Sequence, residues 1–214
     1  MPHEHQHGAC GCGSHADDAH QLPGEGVQDV LLGCIDHAGV EVLNERVRGS
    51  GARLLRAYDA REDESQCCES DVDEQLLLRI PFTGPVKLRA LLLKSGPGDE
   101  TPTQVHLYPN LTQPLDFEAA NDGVPKPAQV VDSVALTREC VEYPLRASKF
   151  ASVNSLTLFV PAASGGERVR LYYVGLRGEY FGPRAKAPTN IVYESAPQLK
   201  DHAKVGTETS QRLG

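Results

Sequence analysis

The sequence contains no tryptophan, and aromatic residues make up only 6% of its 214 residues. Sugars and bases stack on aromatic faces, so the capacity for such stacking is small. No stretch of about 18 consecutive apolar residues is present, which argues against a membrane-spanning helix. A basic run is also missing and the formal net charge is −8. The chain therefore lacks the electrostatic footprint of a nucleic-acid binder.

Several catalytic motifs are missing as well. The sequence has no G-x-S-x-G nucleophile elbow, no phosphate-binding P-loop and no G-x-G-x-x-G before a helix. His106 alternates with Val105 and Leu107, so its side chain should point to the opposite face of a strand. Such a histidine is interpreted as a surface or satisfied core group, not as a general base. We therefore expect a protein without enzymatic activity and without a cofactor.

The N-terminus, MPHEHQHGACGCGSH, lacks the apolar core of a secretory signal, which predicts a cytoplasmic or nuclear protein. The six cysteines should then be mostly reduced. Cys67 and Cys68 are adjacent, and acidic neighbours such as Glu64 and Glu69 should raise their thiol pKa values. A redox role is therefore not expected.

The first 26 residues hold five of the eight histidines and few large apolar side chains. Such a segment cannot bury enough apolar surface to offset the entropy of ordering it. We predict a disordered tail at residues 1–26, an ordered domain at residues 27–203 and a disordered C-terminal tail at residues 204–214. The N-terminal tail could still ligate Zn, Cu or Ni, although a single residue between its two cysteines is a poor zinc spacing. The candidate ligands are His3, His5, His7, Cys10, Cys12 and His15.

Most of the body follows a period of two. Apolar residues alternate with other residues from Leu76 to Phe82, which predicts a strand with one strongly apolar face. Thr83-Gly84-Pro85 predicts a turn, and the leucines of Val86–Ser95 predict a second strand that is buried on both faces at its end. Almost no helical period is present, so an all-β sandwich or barrel is expected. Further predicted features are strands at residues 105–107, 140–145, 153–160, 168–181 and 191–193, a helical turn at Val30–Leu32 capped by Asp29, and a long loop at residues 111–132.

The acidic run Glu69–Glu74 precedes the first clear strand. Its alternating carboxylates could coordinate a hard cation through oxygen ligands. The run lacks the glycine and the distal glutamate of an EF-hand loop. The favoured interpretation is a solvated strand entry whose side chains cap backbone N–H groups.

Several blocks of sequence, taken in order, resemble the PITH domain family, named for proteasome-interacting thioredoxins. The resemblance covers residues 27–203 and rests on the number and order of the blocks. The blocks are DVLL at 29–32, VEVLNE at 40–45, ESDVDEQLL at 69–77, IPF at 80–82, VKL at 86–88, VHLYPN at 105–110, KF at 149–150, LTLF at 156–159, YVGLRG at 173–178, VYESAP at 192–197 and DH at 201–202.

The resemblance implies a jelly-roll β-sandwich, similar to galactose-binding-like and Doc1-like domains. It also implies association with the 26S proteasome, as when the domain is carried by thioredoxin-like protein 1. This chain has no C-x-x-C motif and no room for a thioredoxin domain, so it resembles a stand-alone member without oxidoreductase activity. The resemblance names no catalytic residue.

We expect a monomeric, non-catalytic protein-interaction module, an adaptor or regulatory protein that associates with the 26S proteasome. The expected partner-binding residues are Asp71, Asp73, Glu74 and Arg177, for which structural pairing is the alternative. Two other functions stay open: binding of a carbohydrate-like ligand at the loop rim of the sandwich, and metal binding through the N-terminal tail.

Other residues of the family blocks are expected to be structural. Asn44, Asp71, Asp73 and Gly175 should be turn and capping residues. The expected core residues are Leu76, Leu78, Ile80, Phe82, Leu88, Leu156, Leu158 and Phe159.

Overall fold

The computed structural model describes residues 30–183 of the chain. The predicted boundaries after residues 26 and 203, the Asp29 cap and the candidate strand at residues 191–193 lie outside this range. Within it, no helix has the length and apolar character needed to cross a bilayer.

The described residues form nine β-strands, one short α-helix and four single-turn 3₁₀ helices. The strands are β1 (Glu41–Leu43), β2 (Cys68–Glu69), β3 (Leu76–Lys94), β4 (Val105–Pro109), β5 (Gln129–Val131), β6 (Val141–Pro144), β7 (Val153–Val160), β8 (Arg170–Leu171) and β9 (Tyr173–Tyr180). The α-helix is α1 (Phe117–Asp122), and the 3₁₀ helices are Leu31–Cys34, His37–Gly39, Ala52–Leu54 and Tyr58–Ala60. The strand predicted at residues 168–181 is therefore two strands, β8 and β9.

The long strand β3 belongs to both layers of an antiparallel sandwich. Its first half pairs with β1 and β7, and the first layer continues through β4 to β5. Its second half lies between β6 and β9, which form the second layer. Side chains from both halves meet in one apolar core, so the predicted all-β jelly-roll sandwich is confirmed.

The turn predicted at Thr83-Gly84-Pro85 is wrong, because β3 runs through these residues without interruption. The chain changes pairing partner here instead: the register with β7 is interrupted between Pro81 and Val86, and pairing with β9 begins at Val86. A Cβ atom at Gly84 would collide with the backbone carbonyl of Gly182. Glycine and proline therefore mark the corner at which the strand passes from one layer to the other.

A β-bulge at Arg89 shifts the register of β3 against β9 between Leu88 and Ala90. The extra residue exchanges the two faces of the strand. Even-numbered residues such as Ile80 face the core before the bulge, and odd-numbered residues such as Leu91 face it afterwards. As a result Lys94 ends on the outer face of the second layer.

All eight residues predicted as core are buried. Phe159, however, lies in a second apolar cluster, on the outer face of the first layer. Leu77, Tyr108, Leu115 and Ala120 are the other buried members of this cluster. The outer face of this layer is therefore covered over part of its area and is not entirely solvated.

The cover is helix α1, which lies within the predicted long loop at residues 111–132, as does β5. The prediction of one long loop there is wrong. The Asp116 carboxylate caps the helix by accepting a hydrogen bond from the Ala119 N–H at 2.8 Å, and Gly123 ends it with a φ of 66°. Six residues are too few to display a helical period, and packing against Phe159 stabilises the helix instead.

Candidate functional site

The acidic run folds as a loop between β2 and β3 that is organised by Asn44, the residue after β1. The Asn44 side-chain amide donates hydrogen bonds to the Asp73 carboxylate at 2.7 Å and to the Gln75 carbonyl at 2.6 Å. Its side-chain oxygen accepts from the Val72 N–H at 3.1 Å. Asn44 has a φ of 67°, a left-handed conformation that asparagine tolerates better than most residues.

Backbone pairing holds the same loop from its other end. The Asp71 N–H donates to the Asn44 carbonyl and the Arg46 N–H to the Glu69 carbonyl, both at 2.9 Å. Arg168 also donates from Nε to the Asp71 carbonyl at 3.3 Å. The loop is therefore rigid, although the side chains of Asp71, Val72 and Asp73 are exposed.

An apolar side chain stands at the tip of this rigid loop. Val72 is 86% exposed, and Leu43 and Val47 on the paired segment are 42% and 58% exposed. The carboxylates of Asp71 and Asp73 are also exposed, and Glu74 is half-buried. We call this set the knob surface; it comprises Leu43, Val47, Asp71, Val72, Asp73 and Glu74.

A chain of ion pairs lies behind the knob surface. Arg170 pairs with Glu69 and, at 2.8 Å, with Glu100, while Arg46 pairs with Glu69 at 3.0 Å. Burial raises the pKa of Glu69, but hydrogen bonds and positive charge from Arg170 and Arg46 outweigh it and hold that pKa below its ordinary value. The network fixes β2 against β8.

These ion pairs predict a pH-dependent stability. The pKa of Glu69 is lowered in the folded state, so its ion pairs stabilise the fold above the unfolded-state pKa of about 4.3. That contribution is lost as the pH falls through the folded-state pKa. We expect Glu69→Gln to be less stable than the wild type at about pH 7, and the difference to narrow towards about pH 3.

Urea unfolding midpoints at both pH values measure this difference. Glu118→Gln is the matched control, since Glu118 is exposed and makes no ion pair within residues 30–183. A Glu69→Gln deficit that stays the same at both pH values would contradict the assignment.

A polar cleft of 190 Å³ opens beside this network. Its walls include Gly96, Glu100, Arg138, Arg170 and Tyr172, so carboxylate, guanidinium and phenol groups converge there. Nothing in the sequence indicated this cleft, because its residues come from three separate segments. Two of these segments are joined by the Arg170 N–H, which donates to the Glu100 carbonyl at 2.9 Å, and Lys94 connects the third by donating to the Arg138 carbonyl.

The model of the PITH domain family matches residues 22–197. The chain belongs to the PITH domain family. It is 34% identical over 203 residues to PITH domain-containing protein 1 from Homo sapiens, with 94% of each chain covered. It is also 34% identical over 213 residues to PITH domain-containing protein 1 from Xenopus laevis, with 99% of this chain and 98% of the relative covered.

Solved structures similar to this PITH domain include a fucolectin from striped bass serum, Morone saxatilis, with a TM-score of 0.44 and 10% identity over 66% of this chain and 46% of the other. A family 32 carbohydrate-binding module of NanJ from C. perfringens, in complex with galactose, has a TM-score of 0.45 and 5% identity. The alignment covers 96% of that module and 67% of this chain.

The PITH domain brings together three of the four predicted partner-binding residues. Asp71, Asp73 and Glu74 share one loop, in which the Asp73 carboxylate also accepts from the Gln75 N–H at 3.0 Å. The predicted capping role of this acidic run is therefore confirmed at Asp73. Asn44 is likewise confirmed as a turn residue.

Arg177 does not join them, and the prediction that it is exposed is wrong. It is 9% exposed on β9, pairs with Glu142 at 3.1 Å and lies 5.4 Å from the ring centroid of Tyr58. The outer face of β9 is covered by the segment that contains Tyr58. Gly175 is not a turn residue either: it lies within β9, where a Cβ atom would come within 2.7 Å of the Tyr173 ring.

The thiol pKa values are raised as the sequence predicted, with one difference in cause, whereas His106 is not a satisfied group, because its Nδ1 is buried without a hydrogen-bond partner. Burial raises the pKa of Cys67 and the charge of Glu69 adds to it, while burial raises the pKa of Cys68 to about 11. Burial therefore dominates over the acidic neighbours. His106 points away from the core, as predicted, and packs edge-on against Phe159 at 5.6 Å, where burial lowers its pKa.

No group of three or more histidine, cysteine, aspartate or glutamate residues between residues 30 and 183 is arranged to hold a metal ion. The candidate metal ligands of the N-terminal tail lie outside the described residues. The tail hypothesis therefore remains a prediction.

Proposed function

We propose that this PITH domain is a non-catalytic protein-interaction module that binds its partner through the knob surface. The observation that carries the proposal is the exposure of Val72, 86%, at the tip of a loop held by Asn44. A rigid loop loses little conformational entropy on binding. An exposed apolar side chain on such a loop is suited to insertion into a partner's pocket.

The surrounding charges indicate the chemistry of that pocket. Asp71 and Asp73 flank Val72 in sequence and are exposed on the same loop. A complementary surface would have an apolar centre with lysine or arginine at its edge, which would steer association and select the register. Binding should therefore weaken as salt is added.

The partner we propose is the 26S proteasome, with the protein acting as a monomeric adaptor in the cytoplasm or nucleus. The family resemblance supports this choice. The absence of catalysis is supported by raised thiol pKa values at Cys67 and Cys68 and by the apolar contact of His106. Each of these groups is poorly suited to act as nucleophile or base at neutral pH.

The test is capture of partners from cell extract at low salt, quantified by mass spectrometry. We expect the wild type to recover proteasome subunits and Val72→Glu to recover at least about tenfold less, because a buried, unpaired charge opposes insertion. Val124→Glu is the matched control, since Val124 is 67% exposed but lies after α1 and outside the knob surface. Both substitutions are at exposed positions and should change stability by less than about 0.5 kcal/mol.

Equal recovery with Val72→Glu and with the wild type would exclude the knob surface. Absence of proteasome subunits from the wild-type sample would exclude that partner. A different outcome is that no protein partner is recovered and a monosaccharide raises the melting temperature of the wild type. That result would support binding of a carbohydrate-like ligand instead, and the polar cleft lined by Arg138 and Tyr172 would be its site.

A further inference from the structure

Lys94 is a buried cation on the outer face of the second layer. Its side chain is only 3% exposed, and Nζ lies 2.9 Å from the Glu62 carboxylate and 3.3 Å from that of Glu64. Nζ also donates to the Arg138 carbonyl. The two carboxylates are 47% and 41% exposed, so the acidic groups lie on the solvent side of the ammonium.

Both carboxylates belong to a segment whose apolar anchors lie only at its ends. Its middle is held by polar contacts, which include a hydrogen bond from the Cys140 N–H to the Glu62 carboxylate at 3.1 Å. We call residues 56–66 the strap. Leu54 and Leu55 before it, and Cys68 after it, are buried in the core. Between these anchors the strap has a single turn of 3₁₀ helix, Tyr58–Ala60, and residues 62–66 are all exposed. A segment with so little buried apolar surface opens locally at low cost.

Two buried polar atoms, one on β9 and one at the start of the strap, have no hydrogen-bond partner. The Tyr173 hydroxyl is buried and has no hydrogen-bond partner, and its side chain is 0% exposed. The Nε atom of Arg56 is buried and likewise without a partner. Arg56 itself stays attached to the sandwich, because it donates to the Tyr172 carbonyl at 3.0 Å. Unsatisfied buried polar groups are costly, and a ligand that reaches them removes that cost.

We propose that the strap covers a binding site for an acidic peptide segment of a partner protein. In the free protein Glu62 and Glu64 occupy the site, and a partner's carboxylates replace them on Lys94. The strap itself is the argument for this ligand class, because a peptide segment with two carboxylates separated by one residue already fits the site. The inference does not depend on the proposed function, since it concerns another face of the sandwich.

The experiment uses a fluorescent peptide that corresponds to residues 57–66 of the strap, AYDAREDESQ, and measures its binding to the full chain by anisotropy at low salt. We expect weak binding to the wild type and at least tenfold tighter binding to the Glu62→Gln, Glu64→Gln double variant. Neutral glutamines release Lys94, whereas glutamates compete for it. The matched control is Glu118→Gln, Asp122→Asn, which removes two carboxylates from α1 and should bind like the wild type.

Two further comparisons locate the site. Adding Lys94→Met to the double variant should abolish the tighter binding, and adding Lys94→Arg should retain most of it, because arginine keeps the charge. A peptide whose two glutamates are replaced by glutamine should not bind. If Lys94→Met does not fold, the difference in peptide affinity between the double variant and the wild type still tests the proposal.

Equal affinity of the double variant and the wild type would overturn the proposal. Tight binding of the glutamine peptide would overturn it as well. If inorganic phosphate displaces the peptide at concentrations close to those of the peptide itself, the site accepts any anion and the assignment to an acidic peptide is wrong.

Discussion

Gly178→Ala should destabilise the protein by about 3 kcal/mol, because the new methyl group has no space. Gly178 pairs with Leu88 immediately before the bulge at Arg89. A Cβ atom there would collide with the backbone carbonyl oxygen of Lys87 and lie 3.1 Å from the Cα of Leu88. Backbone atoms in the middle of a sandwich cannot rotate away as a side chain can, so β9 would have to shift.

Urea unfolding of Gly178→Ala against Gly33→Ala measures this effect. Gly33 is exposed, and a Cβ atom there meets nothing within 4 Å, so the control should change the free energy of unfolding by less than about 0.5 kcal/mol. If the two variants have the same unfolding midpoint, the close approach of β3 and β9 is not as described.

Phe159→Ala should cost about 3–5 kcal/mol, since it leaves a cavity in a fully enclosed cluster. The Phe159 side chain is 0% exposed, and its ring lies 6.3 Å from that of Phe117 on α1. The lost contacts are the ones that hold this short helix against the first layer. We therefore expect amide hydrogen exchange in α1 to accelerate more than exchange in β3.

Phe181→Ala is the matched control, because Phe181 is 57% exposed and the same atoms are removed. It should leave the free energy of unfolding within about 0.5 kcal/mol of the wild type. A Phe159→Ala cost below about 1.5 kcal/mol, or unchanged exchange in α1, would mean that the outer cluster does not stabilise the helix.

The two proposed binding surfaces are neighbours in the chain but separate in the fold. The strap ends at Gln66 and the acidic loop begins at Glu69, with Cys68 of β2 between them. Cys68 is fully buried, and β2 is paired with β8. This anchor allows the strap to open without moving the knob surface. The result of the peptide-binding experiment should therefore not depend on substitutions in the knob surface, and the result of the partner capture should not depend on substitutions in the strap.

Much of the core could be predicted from the sequence, because period-two alternation reports directly which face of a strand is buried. The alternation from Leu76 to Phe82 predicted a buried face correctly, and Val153–Val160 was predicted to its ends. The same reasoning failed at Thr83-Gly84-Pro85. Glycine and proline there indicate a break in regular pairing, but whether the break is a turn or a corner depends on which strands lie alongside.

The prediction that Arg177 is exposed was wrong, and the role of Lys94 was missed, for a related reason. Alternation by itself would place Lys94 on the core face, and only the bulge at Arg89 moves it to the outer face. For neither residue does alternation show that the strap covers that outer face. The position of the strap depends on contacts across long sequence separations, such as Arg56 with the Tyr172 carbonyl. Helix α1 was missed because six residues carry no detectable period and packing on Phe159 supplies its stability.

The amino-acid sequence by itself determined the class of fold, the buried faces of the main strands, the acidic character of the loop after β2 and the membership of a family. These are local or statistical properties, readable from spacing and composition. Only the tertiary structure decided which side chains are exposed on that loop, what covers the outer faces of the sandwich and which ionisable groups meet. Those outcomes depend on pairing between distant segments, and the pattern of one strand contains no information about the segment that packs against it.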